Sequence, residues 1–354
     1  MPISNSPVTM RSTYEQWQQS EGLPVIRGFY VEDLRMVDLA PWARKGGRGV
    51  FIDMEGTGGT NGAYVCEIAP GGKLAPQRHL YEEVIYVLAG RGSTAVWIEG
   101  SLKITFEWQA GSLFAIPLNA FHQHFNASGT QPARYYAVTS APLVMNLFHN
   151  HDFVFDNPSV FRDRFTAEAD AFSGKGTFLA SRIWEANFIP DVKAFQLLEW
   201  KERGAGGSNI MFELANNTLI AHISEFPVGT YKKAHRHGPG ANVIILGGRG
   251  YSLLWPDGQP WTKVDWHEGS VFVPPDYWWH QHFNAGPTPA RYLAIRWGSV
   301  KHKLDDKHDR LSEDRATGGN QIEYEDEVPA VRALFETELA QEGVSSRMPA
   351  VVRH

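Results

Sequence analysis

SLFAIPLNAFHQHFNA, residues 112–127, returns as SVFVPPDYWWHQHFNA at residues 270–285, an offset of 158. The same offset carries Trp42 onto Trp200, Glu67 onto Glu225, Gly71 onto Gly229 and His79 onto His237. It also carries Gly90–Gly92 onto Gly248–Gly250, Trp97 onto Trp255 and Gly111 onto Gly269. No net insertion or deletion separates the copies from Trp42 to Ala127, and one missing residue then aligns PARYYA from Pro132 with PARYLA from Pro289. Solenoid repeats recur every ~20–50 residues, so a period this long means two copies of a whole domain.

Each copy reads as β-structure. AVWIEG, LIAHISEF, VIILGG and YSLLWPDG are short runs rich in β-branched and aromatic residues, punctuated by Gly, Pro and Asp. WIEG and WPDG occupy equivalent places and read as the same hairpin turn. Regularly spaced short strands predict a sandwich or barrel. Each copy is followed by a segment expected to be helical, from Asn157 and from Glu327, with a proline near its first turn. The expected domains are therefore 1–172 and 173–354. A polar loop is expected over 302–321, and its His302 and His308 read as solvated, as do His149 and His151.

Bulk properties narrow the partners. The 354 residues carry a net charge of only −6 with no block of like charges, which excludes nucleic acid and anionic membrane as natural partners. No run of ~18 apolar residues occurs and the N-terminal stretch lacks the apolar core of a signal peptide, so a soluble, cytoplasmic protein is expected. The single cysteine, Cys66, rules out an intramolecular disulfide or a cysteine-rich metal site. A small-molecule substrate and a homo-oligomer, dimer or tetramer, are expected.

Seven of the fourteen histidines fall in the repeated motifs: His79, His122, His124, His235, His237, His280 and His282. Residues i and i+2 of a strand share a face, so His235 points with His237, and His280 with His282. If the two strands approach inside a barrel, three imidazoles converge, a set suited to iron, zinc, copper or nickel with positions left open. In the first copy His79, Glu83 and His122, with Gln77 as a fourth ligand, form a second candidate set.

These residues carry a resemblance to the cupins. The cupin motif of Gly, His-x-His, Glu and Gly is met by Gly229, His235, His237 and Gly248, with Ala241 in the place of the glutamate. The second motif is met by Gly269, Pro275, His280 and Asn284, with Tyr277 where a glycine is usual. The first copy fits with Gly71, His79, Glu83 and Gly90, then Gly111, Pro117, His122 and Asn126. There Gln77 replaces a histidine and Asn119 a glycine. The resemblance implies an all-β bicupin, two tandem jelly-roll-like barrels from an internal duplication.

The HRH triplet, the alanine and the aromatic-rich WWHQH resemble gentisate and salicylate dioxygenases, bicupins that hold Fe(II) with three histidines. That likeness implies an O2-dependent enzyme cleaving a carbon–carbon bond of a hydroxylated aromatic acid or diketone-like compound. It places Fe(II), with Mn, Ni or Zn as other metals, on His235, His237 and His280. His282 is then a candidate acid/base, Arg296 a candidate for the substrate carboxylate, and Tyr277, Trp278 and Trp279 a candidate aromatic wall. Two other readings stay open: a non-oxidative metal-dependent decarboxylase, aminohydrolase or isomerase, and a non-catalytic binding bicupin. Oxalate decarboxylases carry the full ligand set in both barrels, and neither set is complete here.

Overall fold

The computed structural model describes residues 10–303 and 312–351, and its strands repeat at the sequence offset. In the first copy Val25–Gly28, Gly47–Met54, Gly62–Ile68, Ala133–Thr139, Glu83–Ala89 and Leu113–Ile116 lie side by side in that order. Phe121–Asn126, Arg91–Trp97 and Ile104–Gln109 form the facing sheet. The second copy repeats this with Ile183–Ala186, Ser208–Leu214, Leu219–Phe226, Ala290–Trp297, Asn242–Gly247 and Val271–Phe272. Its facing sheet is built from Thr262–His267, Arg249–Trp255, Trp279–Phe283 and Ala234–His235, with Gln321–Ile322 added. Both hairpins expected at WIEG and WPDG are present, closed by Gly100 and Gly258 at φ 76° and 73°.

The two barrels pack back to back and exchange strands. Tyr30–Val31 pairs with Val271–Phe272 of the second barrel, and Phe188–Ile189 pairs with Leu113–Ile116 of the first. The anchors repeat too: Ser112 Oγ donates to Pro190 O at 2.7 Å, and Ser270 Oγ to Glu32 O at 2.6 Å. One cluster of buried aliphatics, including Val50, Val65 and Val84 from the first copy and Ile210, Ile223 and Leu293 from the second, fills the space between the large sheets. Fully burying each such side chain contributes roughly 1.5–3 kcal/mol, so this interface is a major share of the core. At its rim the Glu82 carboxylate accepts from Arg164 Nη2 (2.9 Å), Thr218 N (2.9 Å), Thr218 Oγ1 (2.6 Å) and Leu219 N (2.9 Å). The expected boundary at 172/173 is thus crossed in both directions by strands and hydrogen bonds.

Of the two expected helices, the second is present as Pro329–Gln341, burying Val331, Phe335 and Leu339. Residues 157–172 form turns instead. The carbonyls of Asn157 and Ser159, which would start a helical ladder, are taken by Asn119 Nδ2 at 3.0 and 2.7 Å. Ala167 sits at φ 60°, and Phe172 is held by stacking on Phe106 at 4.3 Å. Tertiary anchoring outweighs the modest helix propensity of this stretch. Helices form just before it, Ala141–Phe148 and His151–Phe155, and near the start, where Ser12 and Glu15 make a capping box for Thr13–Ser20. His149, His151 and His302 are exposed, as expected, while His308 lies outside the described residues.

The glycine replacements in the second cupin motif are backbone features. Asn119 and Tyr277, at equivalent positions, both adopt positive φ, 56° and 61°. The left-handed turn is kept where the glycine is not.

Candidate metal centres

In the second barrel, antiparallel pairing sets His235 directly opposite His280. Ring centroids lie 4.2 Å apart for His235 and His280, and 4.9 Å for His237 and His280. One ligand nitrogen from each of the three lies within 4.8 Å of the others, and all three residues are buried. The Nδ1 atoms of His235 and His280 face the carbonyls of Lys233 (3.3 Å) and Trp278 (3.1 Å). A carbonyl partner keeps the proton on Nδ1 and leaves the Nε2 lone pair free for a cation. Burial pushes His235 well below its ordinary value and His280 down to about 4, so both rings are neutral at pH 7. Neutral imidazole is the form that binds metal.

A cavity of about 60 Å³ opens beside these rings. Ala241 lines it where the cupin motif has glutamate, and Arg203, His222, His282, Tyr292 and Arg296 complete its polar wall. No Asp or Glu lines it among the described residues. Burial lowers the Arg203 guanidinium to about 10, still charged at neutral pH. Arg296 is 5% exposed, so it is a cavity residue and not the surface ion-pair partner that its type would suggest. Lys232, also buried, donates from Nζ to Tyr292 Oη at 3.2 Å.

The aromatic wall expected from Tyr277, Trp278 and Trp279 is not at this cavity. Tyr277 is 40% exposed. Trp278 stacks on Phe29 at 6.5 Å. Trp279 is fully buried on the opposite strand face from His280, under the Arg236 guanidinium at 4.6 Å. The positive φ at Tyr277 breaks the strand there, so alternation holds only from Trp279 onward. Trp200 and Tyr292 supply the aromatic lining instead.

His282 differs from the other rings. Trp266 Nε1 donates to Ser252 Oγ (3.0 Å), and the same oxygen lies 2.8 Å from His282 Nδ1. Indole nitrogen is only a donor, and the hydroxyl hydrogen's neighbouring acceptor is Nδ1. That pairing suits the tautomer with the proton on Nε2, in which His282 is a donor into the cavity. The first barrel repeats this with Trp108, Thr94 and His124 at 2.9 and 2.8 Å.

In the first barrel His79, Glu83 and His122 also converge within 4.8 Å. Glu83 Oε2 lies 3.6 Å from His79 Nε2 and 3.7 Å from His122 Nε2. These three atoms, and both amide atoms of Gln77, are buried without a hydrogen-bond partner. The Nδ1 atoms are anchored on the carbonyls of Tyr81 (2.8 Å) and Ala120 (3.2 Å). Burial opposes charge on Glu83, but Lys45, then His79 and His122, hold its carboxyl well below the usual range. Donor separations near the ~3.4 Å edge of a tetrahedron with ~2.1 Å bonds, together with orphaned donors, fit a divalent cation. His79, Glu83 and His122 are thus brought together, and the Gln77 backbone pairs with that of His122.

The residues that sequence reasoning missed are Arg203, His222, Trp200 and the Lys232–Tyr292 pair. The repeat offset held a signal for them. Phe51, Tyr64, Glu83, Ile85 and Ile116 of the first barrel correspond to Asn209, His222, Ala241, Val243 and Pro274. The losses of volume at these positions line the second barrel's cavity.

Residues 64–139 match the family model of the cupin domain. No curated protein matches the chain in sequence. Among solved structures, a variant of Bacillus subtilis oxalate decarboxylase matches with a TM-score of 0.51 at 13% identity over 80% of each chain. A deletion variant of that enzyme matches at 0.52 and 13% identity, covering 93% of this chain and 89% of its own. Lactobacillus farciminis oxalate decarboxylase in a formate complex matches at 0.51 and 12% identity, covering 84% and 88%. At such identities the likeness establishes the fold, two tandem cupin barrels.

Proposed function

We propose that the chain is a metal-dependent bicupin enzyme whose second barrel transforms a small aliphatic carboxylate without net oxidation, in the manner of a decarboxylase, aminohydrolase or isomerase. The observation that carries this reading is the cavity. It is lined by two guanidinium groups and, among the described residues, no carboxylate, and its 60 Å³ is well below the ~150 Å³ that admits benzene. An aromatic acid is therefore a poor fit, whereas a two- or three-carbon acid suits both the volume and the charge. The matched decarboxylases act on an acid of this kind, as their name says.

His235, His237 and His280 would hold the cation. A divalent metal there supplies Lewis acidity, polarising a substrate oxygen. With Ala241 in place of a glutamate, the protein ligands leave the full metal charge to an anionic substrate. Arg203 and Arg296 orient the carboxylate, since a guanidinium matches its geometry. His282 donates from Nε2 to a substrate oxygen, and Tyr292, backed by Lys232, brings a hydroxyl proton to the same space.

A second reading keeps one specific support. A neutral three-histidine set beside an open cavity also suits an Fe(II)- and O2-dependent enzyme cleaving a carbon–carbon bond in a small diketone-like compound. The readings separate in one experiment. Protein loaded anaerobically with Mn(II) or Fe(II) is offered a panel of small hydroxy, keto and dicarboxylic acids, with products followed by NMR and O2 by electrode. Turnover without O2 uptake is expected. Turnover that requires both Fe(II) and O2 establishes the second reading, and turnover in protein stripped of metal refutes both.

A further inference from the structure

The two barrels carry one architecture with different interiors, and the first contains a buried lysine, Lys45, that is not itself a candidate ligand. Lys45 is 1% exposed and lies at the position equivalent to Arg203. Its Nζ donates to Tyr64 Oη at 2.8 Å, and Tyr64 Oη donates to Glu83 Oε1. The chain Lys45 to Tyr64 to Glu83 therefore engages one carboxylate oxygen in a hydrogen bond. The other, Oε2, is left partnerless and aimed at His79 Nε2 and His122 Nε2.

From this arrangement we infer that the first barrel is a closed structural metal centre, with Lys45 and Tyr64 as positioning residues that present Glu83 to the cation through a single oxygen. Structural sites have four protein ligands and no open position, whereas catalytic ones keep a place for substrate. Here the fourth donor is the Gln77 amide, both of whose polar atoms are buried and unpartnered. Among the described residues Phe51, Tyr64, Ile85 and Ile116, all 3% exposed or less, occupy the positions that line the cavity in the second barrel, which leaves substrate no place beside the ligands. Partners of a ligating carboxylate set its orientation, and their loss costs roughly ten- to a hundredfold in metal affinity.

The test counts metal and needs no turnover, so its outcome is independent of the reaction assigned to the second barrel. A His237→Ala, His280→Ala double variant, which lacks the second barrel's ligands, is loaded with Zn(II), dialysed against EDTA and analysed for bound zinc and for its Tm. One zinc per chain is expected to persist. Adding Tyr64→Phe, which removes only the hydroxyl, is expected to weaken zinc binding ten- to a hundredfold, and Lys45→Met to do the same. Tyr136→Phe removes an equally buried hydroxyl that donates to Asn242 Oδ1 at 2.7 Å, so it should lower Tm and leave zinc affinity alone. Loss of all zinc from the double variant overturns the closed centre. Equal zinc affinity in Tyr64→Phe and Tyr136→Phe overturns the positioning role, and circular dichroism on each variant shows whether it has folded.

Discussion

Acidification of the metal-free protein should unfold it over an unusually narrow window, because so many of its histidines are buried without charge. His122, His235 and His282 are driven well below their ordinary values by burial, His124 down to about 3 and His280 to about 4. In the unfolded chain each ring binds a proton near pH 6.5. The unfolded state therefore takes up more protons as the pH falls below that value, and stability drops. At pH 5 the loss per ring depends only on the unfolded value, provided the folded one lies below 5, and amounts to about 2 kcal/mol. Five rings lose about 4 kcal/mol together at pH 6 and about 10 kcal/mol at pH 5, against a typical total of roughly 5–15 kcal/mol. Asp53, whose carboxyl burial raises, works in the opposite direction but is one group against five. The assay is urea unfolding of EDTA-treated protein at pH 7, 6 and 5. A His124→Gln variant should show a pH dependence smaller by about 2 kcal/mol over the same range. A loss below 2 kcal/mol in the parent at pH 5 would refute the neutral, buried histidines on which both metal centres depend.

Three further outcomes concern other contacts. Glu82→Ala leaves the Thr218 and Leu219 amides without their acceptor and Arg164 without its counter-charge, at a cost of roughly 3–5 kcal/mol in urea unfolding. Glu336→Ala, which removes an exposed pair with Arg332 at 3.2 Å, should change stability by less than ~0.5 kcal/mol. Arg296→Gln removes the charge and shortens the side chain, so small carboxylates should bind at least ~10-fold more weakly by calorimetry while metal content is unchanged.

The duplication made the fold readable. A single offset fixed which residues are equivalent, and strand alternation then placed His280 with His282 and brought both ligand sets together. Even where the motif glycines are replaced, Asn119 and Tyr277 keep the left-handed backbone. What sequence could not carry was non-local. The exchanged strands Tyr30–Val31 and Phe188–Ile189 are two residues each, too short for any periodicity. Residues 157–172 have a helical pattern but are pinned by Asn119 from another loop. Tyr277, Trp278 and Trp279 do not form the expected wall, because the chain turns at Tyr277 and Trp279 faces away from His280. The cavity itself comes from differences between the copies outside the motifs, such as Tyr64 against His222.

The central claim is that the second barrel is the metal site that meets substrate, and the first is not. Mn(II) electron paramagnetic resonance on the parent, His79→Ala and His237→Ala proteins, each titrated with oxalate as a small carboxylate probe, tests it directly. The account predicts that His79→Ala keeps a manganese signal that changes on adding oxalate, while the signal remaining in His237→Ala does not respond. An oxalate-responsive signal in His237→Ala that is absent from His79→Ala would contradict it.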